Sequence, residues 1–206
     1  FKTLKGIKVK ILITGVAGFI GYSLAKKLLK NKKYKIIGID NLDNYYSTAY
    51  KNKRLRTIIK NKNFKFYKID IKEFKKLSKI LKKYKFDIIF HFAAQAGVRF
   101  SNVFPVKYID SNVHGFNNLY NSLNKKILKK FIYASSSSIY GEQKKFPLNE
   151  TLKAKPKNLY GTTKKINETM AEFFSLESNI KFIGLRFFTM YGEWGRPDMF
   201  MFKLFK

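Results

Sequence analysis

The chain has 206 residues, 45% of them hydrophobic, which is enough for one domain with a full core and short for two. It has no cysteine and two histidines, so disulfides and zinc sites built on thiolates or on histidine alone are excluded, and no metal is expected. The formal charge of +30 raises nucleic acid or an anionic membrane as partners, yet only five of the 43 basic residues are Arg (Arg54, Arg56, Arg99, Arg186, Arg196) and the lysines are spread along the chain, so solvated helix faces and a lysine-rich bias explain the charge, with a polyanion site as the rival.

Short runs rich in Ile, Val and Phe alternate with longer segments of helical period. Strands are expected at Lys8 to Ile13, Lys35 to Ile39, Phe64 to Ile69, Phe86 to Phe90, Lys130 to Ala134 and Lys181 to Leu185. Helices are expected near Gly18 to Lys30, Ser47 to Lys60, Ile71 to Tyr84, Pro105 to Leu123 and Asn158 to Ser178. That alternation predicts an α/β fold, a doubly wound parallel sheet of Rossmann type with helices on both faces and its ligand beyond the strand C-termini. Gly141 to Lys157, with Pro147 and Pro156, reads as a loop over the active site. No apolar run approaches the roughly 20 residues of a membrane span, and no signal peptide is visible. The expectation is a cytoplasmic protein with no membrane partner and no specific nucleic-acid partner. Phe1 at one end and the apolar run Phe200 to Lys206 at the other read as cut ends of a longer chain.

The first strand runs into Gly15-Val-Ala-Gly18-Phe-Ile-Gly21. A G-x-x-G-x-x-G turn between strand and helix binds a dinucleotide: Gly15 makes the tight turn, Gly18 admits the diphosphate, and Gly21 lets the helix pack on the sheet. Phe19 and Ile20 lie in the same turn, and Ile20, Leu24 and Leu28 predict the buried face of the helix. Asp40 ends the second strand, where a carboxylate accepts both adenosine ribose hydroxyls and repels a 2′-phosphate, so NAD is favoured over NADP. Asn41 follows where an NADP enzyme more often has Arg. Asp70, before Ile71, is placed either to accept the adenine amino group or to cap the next helix, and the two roles are compatible.

Two further features carry chemistry: Ser135-Ser136-Ser137-Ser138 closing the fifth strand, and Tyr160-Gly-Thr-Thr-Lys164 opening a helix. Tyr and Lys at i, i+4 share a helical face. With 13 tyrosines in so lysine-rich a chain the spacing alone is weak, and Tyr22/Lys26 and Tyr140/Lys144 share it. Only the Tyr160 pair lies beside a stripe expected to be buried, formed by Leu159, Ile166, Met170, Phe173 and Phe174. To act as a base at neutral pH a tyrosine must fall from near 10 by about 3 pH units, on the order of 4 kcal/mol. A Lys ammonium about 4 Å away at an effective dielectric near 20 provides roughly that much.

Taken in order, TGVAGFIG (Thr14 to Gly21), Asp40-Asn41, Asp70, HFAAQAGVR (His91 to Arg99), Ser111 to Gly115, ASSSSIYG (Ala134 to Gly141), Tyr160 to Lys164 and LRFFTMYGEWGRPDM (Leu185 to Met199) resemble the extended short-chain dehydrogenase/reductases. Within that family they are most similar to the NAD-dependent nucleotide-sugar epimerases that act on UDP-glucuronate at C4. The resemblance implies Ser136 as the catalytic hydroxyl, Tyr160 as base, Lys164 as its partner on the nicotinamide ribose, and Ala93 and Ala94 along the cofactor, with Ile71 beside Asp70. Dehydratases and decarboxylases of the family carry acids where Ser137 and Ser138 stand, which points to epimerisation. Ser137, Ser138, Thr189 and Arg196 are then expected to anchor the C5 carboxylate, or else to be turn residues, with Arg196 on phosphate or in solvent. Residues 1–206 are expected to form the NAD-binding domain, with most of a C-terminal substrate-binding part missing. The implied partner is a UDP-sugar; a homodimer is allowed, and the sequence leaves the oligomeric state open. A UDP-glucose/UDP-galactose epimerase and a non-catalytic polyanion-binding protein are the rival readings. Glu193 stands where members of the family commonly have Pro.

Overall fold

Each short run rich in Ile, Val and Phe becomes a strand, and the helical segments between them close back over the sheet those strands form. The computed structural model describes residues 8–144, 146–199, 202 and 204. The elements follow in the order β1 (Val9–Thr14), α1 (Phe19–Leu28), β2 (Tyr34–Asp40), α2 (Thr48–Ile58), β3 (Phe64–Lys68), α3 (Phe74–Lys83), β4 (Ile88–His91), α4 (Val98–Val103) and α5 (Pro105–Tyr108). A π-helical stretch (Ile109–His114), α6 (Gly115–Asn121), β5 (Lys130–Ser136), a 3₁₀ turn (Ser137–Tyr140), α7 (Leu159–Leu176) and β6 (Lys181–Phe187) complete them.

The six strands lie in the order β3-β2-β1-β4-β5-β6, all parallel. The expected doubly wound architecture is therefore present. One face buries Leu12, Ile37, Ile89 and Phe131 under Leu77 of α3, Phe116 of α6 and Phe174 of α7. The other buries Ile11, Ile13 and Ile36 under Tyr22 of α1 and Leu55 of α2. Thr14 pairs in register with Ile39 on one side and His91 on the other, so β1, β2 and β4 end level at the point where the strand order reverses. A crevice opens there.

Several local expectations are corrected. The first helix buries Phe19, Tyr22 and Ala25 most deeply, leaving Ile20, Leu24 and Leu28 at the margin. Phe173 is 55% exposed instead of buried, because the inner face of α7 is set by Lys164, Asn167, Ala171 and Phe174. The helix expected over Pro105 to Leu123 is broken by the π-helical stretch, and α4 precedes it in a segment without an expected element. Asp70 does not cap α3: its Oδ1 accepts from the Lys72 amide (2.9 Å) and its carbonyl from the Glu73 amide (3.0 Å), a local turn that delays the helix to Phe74.

Candidate active site

The crevice is a cavity of about 410 Å³ lined by all the residues expected to form the site, from the glycine turn to Arg196. Gly15 has φ +70°, and a Cβ there would come within 2.6 Å of the Ala93 amide nitrogen, so the turn packs directly on the segment after β4. Gly18 is the N-cap of α1 and brings no capping side chain, while Phe19, Ile20 and Gly21 line the cavity beside it. An α-helix N-terminus left open in this way suits an anion. His91 Nδ1 lies 2.7 Å from Thr14 Oγ1, which also accepts from the Ala93 amide (3.2 Å). Burial brings His91 down to about 3, so the ring is neutral and braces the two strand ends that carry Gly15 and Ala93.

Asp40, buried at the end of β2, accepts from the Ala17 amide (2.9 Å) and the Leu42 amide (2.8 Å). Burial raises its carboxyl, and the Leu42 bond, the Lys51 charge and the Ala17 bond oppose that rise. Each carboxylate oxygen retains a second acceptor direction. Asn41 donates to Asp70 Oδ2 (2.9 Å), which ties the two acidic positions together. The cavity wall continues past Ile71 to Ala93 and Ala94. A glycine turn under an open helix end, a buried carboxylate on the next strand and an apolar slot past Asp70 fit a dinucleotide.

At the other end of the cavity β5 delivers Ser136, whose Oγ accepts from the Ser138 amide (3.1 Å). Asn158 caps α7 by accepting from the Gly161 amide (2.8 Å), and Tyr160 and Lys164 follow on the cavity side of that helix. Lys164 donates to the Ala134 carbonyl (2.9 Å), and its Nζ lies 5.9 Å from the Tyr160 ring centre. Burial brings Lys164 down to about 8 and pushes Tyr160 up, against the Ser136 hydroxyl and the Arg196 charge. The expectation that Lys164 depresses Tyr160 is thus corrected: the ammonium is held by a backbone carbonyl of β5, and desolvation of the phenol is the larger effect. Asn112, in the π-helical stretch, holds α7 in place by donating to Thr163 Oγ1 (3.0 Å) and accepting from Asn167 through its carbonyl (2.7 Å).

Ser137 and Ser138 form the 3₁₀ turn, while Thr189 lies exposed on the far wall. Arg196 already has a partner: its Nε donates to Asp198 Oδ1 (3.0 Å) and its Nη2 to Oδ2, over the Tyr45 ring. Pairing with Asp198 raises the guanidinium against its burial and holds the carboxyl below the usual range. Sequence reasoning missed Lys51, which lines the cavity beside Asp40 and donates to the Asp43 carbonyl (2.6 Å), and Arg54, which is fully buried behind the glycine turn. Among a run of basic residues nothing singled them out. The Gly141 to Lys157 loop does not cover the site: among the described residues none of that stretch lines the cavity, and Glu150 instead accepts from Arg186 through its carbonyl (3.1 Å). The arrangement places a phenol, a hydroxyl and an ammonium at one end of a dinucleotide-shaped cleft, the equipment for moving a proton on and off a hydroxyl next to a cofactor ring.

Residues 11–206 match the model of the NAD dependent epimerase/dehydratase family. The chain is 41% identical over 196 residues to a UDP-glucuronate 4-epimerase of Thermodesulfobacterium geofontis, covering 95% of this chain and 60% of that protein. It resembles the crystal structure of UDP-glucuronic acid 4-epimerase from Bacillus cereus in complex with UDP-glucuronic acid and NAD (TM-score 0.87, 36% identity, 95% of this chain and 62% of that one). It also resembles a UDP-glucose 4-epimerase with UDP-glucose from Thermotoga maritima (TM-score 0.82, 33% identity, 93% of this chain and 59% of that one). The chain spans between 44% and 61% of the length of the curated relatives compared.

Proposed function

The chain belongs to the NAD dependent epimerase/dehydratase family, and from that premise we propose that its cavity binds NAD and a UDP-sugar and inverts the sugar at C4, converting UDP-glucuronate to UDP-galacturonate. One observation carries the reading: the glycine turn, Asp40, Ser136, Tyr160 and Lys164 line a single cavity in which the two positions after Ser136 are hydroxyls and not acids. Gly15, Gly18, Phe19, Ile20 and Gly21 at the open end of α1 would hold the diphosphate, and Asp40, followed by Asn41, the adenosine ribose. Asp70 and Ile71 would meet the adenine, and Ala93, Ala94 and Lys164 the nicotinamide half.

Bound NAD supplies an acceptor that takes a hydride from C4 and gives it back, so the net change is redox-neutral. Tyr160 takes the proton of the 4-hydroxyl and later returns it. Ser136 hydrogen-bonds the same oxygen and keeps it within reach of the phenol. Lys164 holds a positive charge near the tyrosine and donates to a ribose hydroxyl without leaving the β5 carbonyl that orients it. Ser137, Ser138 and Thr189 offer hydroxyls to the C5 carboxylate, and Arg196 reaches it by sharing its fork with Asp198.

Turnover of UDP-glucuronate and UDP-glucose, measured side by side with NAD and with the products identified, tests the assignment. The expected result is UDP-galacturonate, with kcat/KM favouring the uronate by about tenfold or more. Equal or better turnover of UDP-glucose overturns the uronate assignment and leaves a neutral-sugar epimerase, the activity named for the Thermotoga maritima relative.

A further inference from the structure

Arg54, on α2, is among the largest side chains with no exposure to solvent, and among the described residues no carboxylate pairs with it. Carbonyls and rings hold it instead. Its Nη1 donates to the Ala17 carbonyl (2.9 Å), inside the glycine turn, and to the Tyr46 hydroxyl (2.6 Å). Its Nη2 donates to the carbonyls of Trp194 (2.5 Å) and Gly195 (3.3 Å), and the Tyr50 ring centre lies 4.7 Å from the guanidinium carbon. A buried cation without a counter-ion is costly. The guanidinium touches the Ala17 carbonyl of the open-ended glycine turn, where a bound anion would supply a counter-charge.

The segment on the other side of the fork is strained. Trp194 has φ +65°, a left-handed conformation uncommon outside glycine, and Gly192 has φ +138°. The turn closes with Gly195 N donating to the Gly192 carbonyl (3.0 Å), the Trp194 ring packs against Tyr22 of α1 and Tyr50 of α2, and Arg196 follows at once. If this turn lifts, Nη2 loses both of its acceptors; if the glycine turn shifts, Nη1 loses the Ala17 carbonyl and keeps only the Tyr46 hydroxyl.

We propose that Arg54 is a positioning residue that locks the Gly192 to Gly195 turn onto the phosphate-binding turn, so that a bound diphosphate and the seating of Arg196 stabilise each other. The proposal rests on the reading that the cavity holds NAD. Such coupling is reciprocal: whatever the seated turn adds to nucleotide affinity, the nucleotide adds to the seating of the turn.

Trp194 is the only tryptophan in the chain, so its fluorescence reports on this turn alone. The test is acrylamide quenching of Trp194 with and without NAD, ADP-ribose and adenosine, alongside calorimetric titration with NAD. NAD and ADP-ribose, which carry the diphosphate, are expected to lower the quenching constant about twofold or more, and adenosine to leave it unchanged. Arg54→Met is expected to weaken NAD binding about tenfold and to abolish the protection; Arg54→Lys, which keeps the charge but not the fork, restores part of the affinity and none of the protection. NAD binding to the unaltered chain that leaves Trp194 equally accessible overturns the lock alone, and this measurement does not depend on a variant folding. No NAD binding by the unaltered chain overturns the reading of the cavity and the lock with it.

Discussion

Burial favours the neutral phenol of Tyr160, while the Ser136 hydroxyl and the Arg196 charge favour its ionised form, so the basic form gains as the pH rises. Lys164, lowered to about 8 by its own burial, carries its charge below that pH and loses it above. The two trends oppose each other. The expected kcat–pH profile climbs on the acid side and falls again above the Lys164 value, and Lys164→Met removes that alkaline fall and lowers the rate. Tyr160→Phe is expected to lower turnover by about 10² to 10⁴-fold with NAD affinity retained; steady-state rates across pH and a calorimetric titration check both variants. At this scale the sequence was informative wherever a residue type is rare or its spacing is special, as for Gly15, Asp40 and Tyr160. It was silent on Lys51 and Arg54, because on a helix reading TAYKNKRLRTI every basic side chain looks equally solvated until the sheet and the Trp194 turn bury two of them. The Arg196–Asp198 pair was not read from the sequence, which placed Arg196 on a carboxylate, a phosphate or in solvent and gave Asp198 no role.

Helix α7 carries the proposed base and its partner, and an ion pair ties it to the sheet. Arg186 of β6 meets Glu168 of α7 through Nε and Nη2 (3.0 Å each), and Ser135 of β5 donates to the same Glu168 (2.6 Å). The pair raises Arg186 above its ordinary value, and both side chains are mostly buried. Glu168→Gln is expected to cost about 1–3 kcal/mol by leaving the guanidinium short of an acceptor, with a lower melting temperature in thermal denaturation and slower turnover, since Ser135 is next to Ser136. The inner strands were legible because their apolar runs are nearly continuous, as a parallel sheet covered on both sides requires, and β3 at the sheet edge by its alternating FKFYK. Helix faces were less so. Tyr22 rather than Ile20 fills the deepest position of α1, since its ring reaches the Thr57 hydroxyl with Oη (2.9 Å) and packs edge-on to Trp194. The break between α5 and α6 had no sequence signal: a π-helical stretch follows from where Asn112 must place its amide and its carbonyl, not from helix propensity.

For the whole molecule, a formal charge of +30 surrounds a cavity proposed for anionic ligands. Screening should therefore act on encounter more than on chemistry. Raising ionic strength from about 0.05 to 0.3 M is expected to reduce kcat/KM for UDP-glucuronate severalfold with little change in kcat, as checked by initial rates in potassium chloride. A drop confined to kcat would place the salt effect in the reaction step. The strand order also divides the chain into two contiguous stretches: β1 to β3 bring the glycine turn, Asp40 and Asp70, and β4 to β6 bring Ser136, Tyr160 and Lys164. They join through the β1–β4 pairing, through one apolar cluster in which Leu12 and Leu77 meet Phe116 and Phe131, and through the contacts of Arg54, Tyr22 and Tyr50 with the Trp194 turn. The peptide between them passes through exposed lysines at 82, 83 and 85. A chain cut between Lys83 and Lys85 is expected to stay associated through the shared core, one piece carrying the proposed adenosine end of the cavity and the other the proposed reacting groups, which co-elution of the two pieces in size-exclusion chromatography checks.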